Sequence, residues 1–226
     1  MKQYFTSYGK KIDTDQEKYK FFFENNFYRF CDPSRIGKLI NLFYFLRKTR
    51  KVKGDILEFG VFKGNSAFKI LILSKILKIV KNFYFFDYFT SFKDNGVTKI
   101  DKYELSLFYK EAGKKCISKK DFEDNLKLRN IYKNVTIYEG GIFKNLKLFL
   151  KLNKKISLVN LDVDLHNITF FILNNVYSKL SKNGIIILDD YNGFPGATKA
   201  INNFCKIKKI KIYKISNIKT SYFLKK

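Results

Sequence analysis

Asp189 and Asp190 stand side by side at the end of the apolar run Gly184–Leu188, and Asp162-x-Asp164-x-His166 follows another apolar run, Ile156–Leu161. Like charges at the rim of a core repel each other and lose hydration, so something positive must offset them: a lysine, a helix N-terminus or a metal ion. If the two runs are neighbouring strands, four carboxylates converge. Hard oxygen ligands of that kind suit magnesium, with manganese or calcium as alternatives. A rim neutralised by lysines needs no metal, but a point charge satisfies four carboxylates poorly. His166 is the only histidine in the chain. At near-neutral pKa it could take a proton from a substrate hydroxyl, or simply be a solvated polar residue.

A second group precedes these. The run Asp55–Phe59 leads into Glu58-Phe59-Gly60-Val61-Phe62-Lys63-Gly64-Asn65-Ser66. Gly60 permits a sharp turn, and Gly64 lets a following helix approach closely. The N-terminus of that helix offers free N–H groups and a positive dipole end to an anionic or polar ligand. Neither G-x-G-x-x-G nor a Gly-Lys-Ser/Thr phosphate loop is present. Asp87 ends the next run, Asn82–Phe86. An acidic residue there can accept bonds from ribose hydroxyls, or it caps the following turn.

These residues need elements to hold them. Apolar runs at 55–60, 82–87, 135–140, 156–162 and 184–188 predict strands, with two lysine-rich strands near 207–215 and 220–225. Helical spacing predicts helices at 36–46, from Ala67 to Leu77, near 118–130, at 143–151, from Ile168 to Leu180, and at 196–205. Residues 1–30 are polar and then aromatic, which predicts one or two short helices. The alternation predicts an α/β fold: a doubly wound, mostly parallel seven-stranded sheet with helices on both faces and N-terminal helices before it. The expected organisation is an N-terminal helical extension over 1–52 packing on a core over 53–226. In such sheets ligands lie beyond the carboxyl ends of the strands, where all the residues above fall.

Composition narrows the partners. The formal net charge is +25, yet only five of the 45 basic residues are arginine and the lysines are spread along the whole chain. Nucleic-acid readers favour arginine for bidentate base contacts. A solvated, lysine-covered surface is therefore expected, with no specific nucleic-acid partner. Three scattered cysteines, Cys31, Cys116 and Cys205, form neither a disulfide framework nor a zinc spacing. The N-terminus lacks an apolar signal segment, and the longest apolar stretch, 68–80, is broken by lysines. A cytoplasmic protein that does not enter membranes is expected. Aromatic residues 21–30 could pack against a second copy of the chain.

The segments DPSRIGKLINL (32–42), GDILEFGVFKGNSA (54–67), FDYFTSF (86–92), EGGIF (139–143) and the run from Leu161 to Phe204 resemble the macrocin O-methyltransferase family. These are class I S-adenosylmethionine-dependent enzymes, with a Rossmann-like fold, that commonly act on sugar hydroxyls. The resemblance implies that Glu58, Gly60, Val61, Gly64 and Ser66 line the cofactor's methionine and ribose region. It further implies that Asp87 holds the ribose and that Gly140 and Gly141 lie near the adenine. Asp162, Asp189 and Asp190 match the family's magnesium ligands, with Asp164 as an alternative ligand or an outer-shell group. The implied reaction is methyl transfer to a hydroxyl of a sugar, nucleotide sugar or glycoside. Asp162, Asp164 or His166 would receive the proton. The chain departs from the family's pattern at Asn65, at Lys93-Asp94-Asn95-Gly96, at His166 and at Ile168-Thr169.

Two other functions fit the fold. A nucleic-acid methyltransferase would account for the net charge, but Asp189-Asp190-Tyr191 is not the Asn/Asp-Pro-Pro-Tyr type of motif, and an acidic rim repels phosphates. A non-catalytic Rossmann-like binding module would not need the full set of strand-end residues.

Overall fold

The computed structural model describes residues 33–90, 97–112, 116–215 and 220–225. The expected N-terminal helices of 1–30, the aromatic stretch 21–30, Cys31 and the turn Lys93-Asp94-Asn95-Gly96 lie outside the described residues. By its internal contacts the chain divides between Asn41 and Leu42, inside the helix α1 (Pro33–Thr49), and the sheet belongs to the larger unit, which begins at Leu42. There β1 (Asp55–Phe59), α2 (Asn65–Ile76), β2 (Phe83–Asp87), α3 (Lys102–Ala112), α4 (Lys119–Leu128), β3 (Val135–Glu139) and α5 (Ile142–Lys151) come in order. Next along the chain are β4 (Ile156–Leu161), α6 (His166–Val176), a short 3-10 turn (Tyr177–Lys179), β5 (Leu180–Leu188), α7 (Pro195–Lys208), β6 (Tyr213–Ile215) and β7 (Thr220–Leu224).

The seven strands form one sheet in the order β3-β2-β1-β4-β5-β7-β6. β1 to β5 pair in parallel, and β7 and β6 close the sheet antiparallel. All residues of β1 and β4 are buried, as a sheet covered on both faces requires. Alternate side chains feed two cores. On one face Leu57, Phe59, Tyr84 and Phe86 meet Leu146 and Phe149 of α5, Ile172 and Leu173 of α6, and Ile201 and Phe204 of α7. On the other, Ile56, Phe83 and Phe85 meet Phe45 and Leu46 of α1, Ala67 and Ile70 of α2, and Phe122 and Leu126 of α4. The expected doubly wound α/β sheet is thus present. No helix among the described residues is long and apolar enough to cross a membrane.

Register matters as much as order. Phe59 pairs with Phe86 and with Leu161, and Leu161 pairs with Leu188. The ends of four strands therefore lie in one row. The ladder runs one residue further: Gly60 N–H donates to Phe86 O (3.0 Å), Asp162 N–H to Phe59 O (3.0 Å) and Asp189 N–H to Leu161 O (3.1 Å).

Local expectations needed correction in three places. Helix α3 lies in a stretch whose sequence reads as polar and irregular; of its described side chains only Leu105 is fully buried, too few for a helical period to show. Leu180 belongs to β5, not to the preceding helix, because it pairs with Ile156 across the sheet. Residues 207–212 are not a strand: α7 runs on to Lys208 and ends at Lys209 in a left-handed conformation, leaving β6 only three residues long.

Phe86 stacks on Phe59 with centroids 4.6 Å apart and on Tyr138 at 4.7 Å. Phe86→Ala should therefore cost about 3–5 kcal/mol in a urea melt. Val80→Thr, at a residue 88% exposed, should change stability by less than about 0.5 kcal/mol.

Candidate active site

The row of strand ends sets a glycine turn, a buried glutamate and a carboxylate cluster next to one another. Gly60 has φ +87°, and a Cβ built on it would lie 1.6 Å from the Asp162 carbonyl oxygen. Only glycine lets the β1 turn run flush against the tip of β4. The turn is closed by Gly64 N–H donating to Val61 O (2.8 Å) and delivers the N-terminus of α2 to the same edge. Asp87 clips this turn in place: its Oδ2 accepts from the N–H groups of Val61 (2.6 Å) and Phe62 (2.8 Å), and its Oδ1 from Phe89 N–H (3.2 Å). So Asp87 does cap the turn after β2, and a carboxylate oxygen with one such bond can still accept another.

Glu58 is fully buried. It is the register partner of Asn160, whose Nδ2 donates to Oε1 at 2.8 Å. Oε2 has no hydrogen-bond partner among the described residues. Burial pushes the carboxyl up to about 7, the Ser66 and Asn160 side chains oppose that, and the charges of Asp87 and Asp189 add to it. A buried acceptor left without a donor is costly, so this oxygen marks a place for a ligand's donor. Beyond β3, Gly140 N–H donates to Asp87 O at 2.8 Å. Asn145 Nδ2 donates to Glu139 O (2.9 Å) and braces the turn. A Cβ on Gly141 would sit 3.5 Å from the Tyr88 hydroxyl, so Tyr88 lies close to the Gly141 backbone.

The carboxylates of Asp162, Asp164 and Asp190 each place an oxygen within 4.8 Å of the others. Asp190 is 6% exposed, and its Oδ2 accepts from the N–H groups of Val163 and Asp164, both at 2.9 Å. Asp164 adopts φ +60°, which turns its N–H toward Asp190. Burial, followed by the charges of Asp164 and Asp189, raises the Asp190 carboxyl well above the usual range. Asp189 is half-buried and acts electrostatically on both Glu58 and Asp190, but it is not one of the three clustered residues. His166 opens α6; its Nδ1 lies 3.0 Å from Asn167 Oδ1 and its ring is parallel to that of Phe170.

Sequence reasoning did not single out Asn160, Asn145 or Asp101. Asn160 was signalled by an amide inside an otherwise apolar strand. Asp101 was signalled by Thr98-x-x-Asp101, which has the spacing of a helix-capping pair. Asp101 is 3% exposed, and its carboxylate accepts from His166 N–H (3.0 Å), Thr98 N–H (2.8 Å) and the Thr98 hydroxyl (2.6 Å).

Known proteins share this fold. No curated protein matches the chain in sequence. Among solved structures, the O-methyltransferase NovP is 19% identical with a TM-score of 0.73, over 84% of this chain and 80% of its own. The calicheamicin methyltransferase CalS11 is 19% identical with a TM-score of 0.73, over 93% of this chain and 86% of its own. The O-methyltransferase TomG from Streptomyces achromogenes, solved with S-adenosylmethionine, is 11% identical with a TM-score of 0.52, over 83% of this chain and 77% of its own. These likenesses establish the Rossmann-like methyltransferase fold. The profile of the family described as macrocin-O-methyltransferase (TylF) matches residues 34–225, from the first described helix through the last strand. The chain belongs to the macrocin-O-methyltransferase family and is an O-methyltransferase.

Proposed function

We propose that the protein moves a methyl group from S-adenosylmethionine to a hydroxyl of a sugar or glycoside, with magnesium at the strand tips. The observation that carries this reading is the gathering of Asp162, Asp164 and Asp190 within 4.8 Å directly beside the Gly60 turn. The description of CalS11 as a TDP-rhamnose 3'-O-methyltransferase and the presence of S-adenosylmethionine in TomG support the acceptor and donor classes.

The residues fit both groups. The unpartnered Glu58 Oε2, the α2 N-terminus and the Gly60 turn suit a cofactor with an ammonium, a sulfonium and ribose hydroxyls. Glu58 would accept from the ammonium, Asp87 from the ribose, and Val61, Gly64 and Ser66 would line the path between them. Gly140 and Gly141, bordered by Tyr88, leave room for a flat adenine. Asp162 and Asp190 would hold the cation, with Asp164 or Asp189 as a further ligand; their hard oxygens suit magnesium. When bound, the sulfonium supplies an electrophilic methyl and the cation makes a nearby alcohol more acidic. The chain's own part is orientation and proton removal. Asp164 is placed to receive the hydroxyl proton, and His166, two residues on, to relay it.

Glu58 links the site to pH. Its carboxyl lies at about 7 in the fold against an ordinary value of 4.5, so the folded state binds the proton more tightly. Its contribution to stability is full below about 4.5 and is lost as pH rises through about 7, a swing on the order of 3 kcal/mol.

Four outcomes are expected. EDTA should abolish methyl transfer to a nucleotide-sugar panel, and magnesium should restore it. Asp190→Asn should lose turnover while its affinity for S-adenosylhomocysteine, measured by calorimetry, stays within about threefold of wild type; full chelator-resistant activity ends the metal reading. Asp164→Asn should lower kcat by about 10²–10⁴-fold with little change in KM. In urea melts without cofactor, Glu58→Gln should be stabilised relative to wild type at pH 8 and not at pH 4. An equal difference at both pH values would show that Glu58 does not hold the proton.

A further inference from the structure

We propose that Asp101 is a positioning residue that sets the spacing of the acidic cluster, an inference that rests on the magnesium reading of that cluster. The Asp101 carboxylate stands outside the cluster, buried between two helix starts. Its Oδ1 accepts from the N–H of His166, the first residue of α6 (3.0 Å). On its other side is Gly196, the second residue of α7, where an added Cβ would lie 1.8 Å from the same Oδ1 and 3.3 Å from His166 N. Oδ2 is taken by the Thr98 N–H (2.8 Å) and hydroxyl (2.6 Å). A buried carboxylate held by dipoles is favoured at helix N-termini, where N–H groups lack partners.

The contacts close a ring around the cluster. Asp101 holds His166, two residues after Asp164. Asp164 N–H donates to Asp190 Oδ2 (2.9 Å). The Asp190 carbonyl accepts from Gly193 and Phe194 N–H, each at 3.0 Å. Two residues on, Gly196 returns to Asp101. The tips of β4 and β5 carry the cluster, and Asp101 is the group outside both loops that fixes one relative to the other. It does so from just before α3, where Thr98 holds its other oxygen. Glutamate would not replace it, because the Gly196 backbone occupies the space an extra methylene needs.

The test uses manganese as a probe of the full-length protein, with free ion followed by electron paramagnetic resonance. Asp101→Asn and Gly196→Ala should each weaken manganese binding about tenfold or more, the range seen when an outer partner of a ligand is removed. Affinity for S-adenosylhomocysteine should stay within about twofold, since the Glu58 and Gly60 side of the cleft is untouched. Thr98→Val removes one donor to the carboxylate but leaves the charge and the packing, so it should give a smaller loss of manganese affinity in the same direction. Manganese binding equal to wild type in Asp101→Asn and Thr98→Val would overturn the proposal while leaving the metal reading intact. An equal loss of manganese and S-adenosylhomocysteine affinity would overturn it too, by revealing a general structural defect. A wild-type protein that binds no manganese would end the metal reading, and this inference with it.

Discussion

The parallel register of β1 with its two neighbours is the constraint on which the site depends. Side chains in a strand alternate faces, so a slip of one residue would exchange the two cores and send Glu58 to the opposite face from Asn160. The slip is prevented by shape. Phe59, Phe86 and Tyr138 stack in a row across three strands, and Phe85 packs edge-on against Phe122 of α4. Aromatic volume on both faces thus fixes which residues end the strands together. Glu58 and Asp87 share one edge because these aromatic residues pack in that register, and the pairing of Leu161 with Phe59 and Leu188 brings Asp162 and Asp189 beside them.

Much of this was legible in the residues. Buried parallel strands are short apolar runs, and those runs ended at the same chemical types: glycine or aspartate. The run ends therefore gave the elements and the edge where the candidate site residues gather. The cluster's membership was less legible. Asp164 stands two residues beyond Asp162, and its place near Asp190 depends on a left-handed φ that no spacing rule reveals. Asp101 is farther still, 65 residues before His166 in the chain, and its contact exists only once α3, α6 and α7 have packed. Helix α3 itself escaped the reading: it follows the Thr98–Asp101 contacts, and among its described side chains Leu105 is the one fully buried. At Leu180 cross-strand pairing overrode a helical period, as tertiary contacts do where local preference is weak.

The overall charge of +25 points away from the chemistry. Lysines spread over a surface set solubility and long-range attraction, not fold. The working groups are acids, few in number and placed where water is scarce. Their effect on one another is felt in the raised carboxyls of Glu58 and Asp190, since charges in a poorly solvated edge are screened less than those on the surface.

Glu58 and Asp190 answer the same problem differently, and the difference defines the cleft. Both are buried carboxyls whose charged form is disfavoured. Asp190 has two backbone N–H donors on one oxygen and two carboxylates close by, so its burden is the like charge beside it. Glu58 has an amide on one oxygen and, among the described residues, no direct hydrogen bond on the other, with Ser66 nearby, so one more donor would suit it. Under the proposed function, a compact cation would meet the first need and a ligand ammonium the second. Gly60 lies against the backbone of Asp162 and belongs to the turn just after Glu58. It is the point where the two positions are closest, and any side chain there would push the tips of β1 and β4 apart. A methyl donor and an activated hydroxyl must meet within van der Waals reach for transfer to be fast. Under the proposed function, the absence of a Cβ at residue 60 would permit that approach.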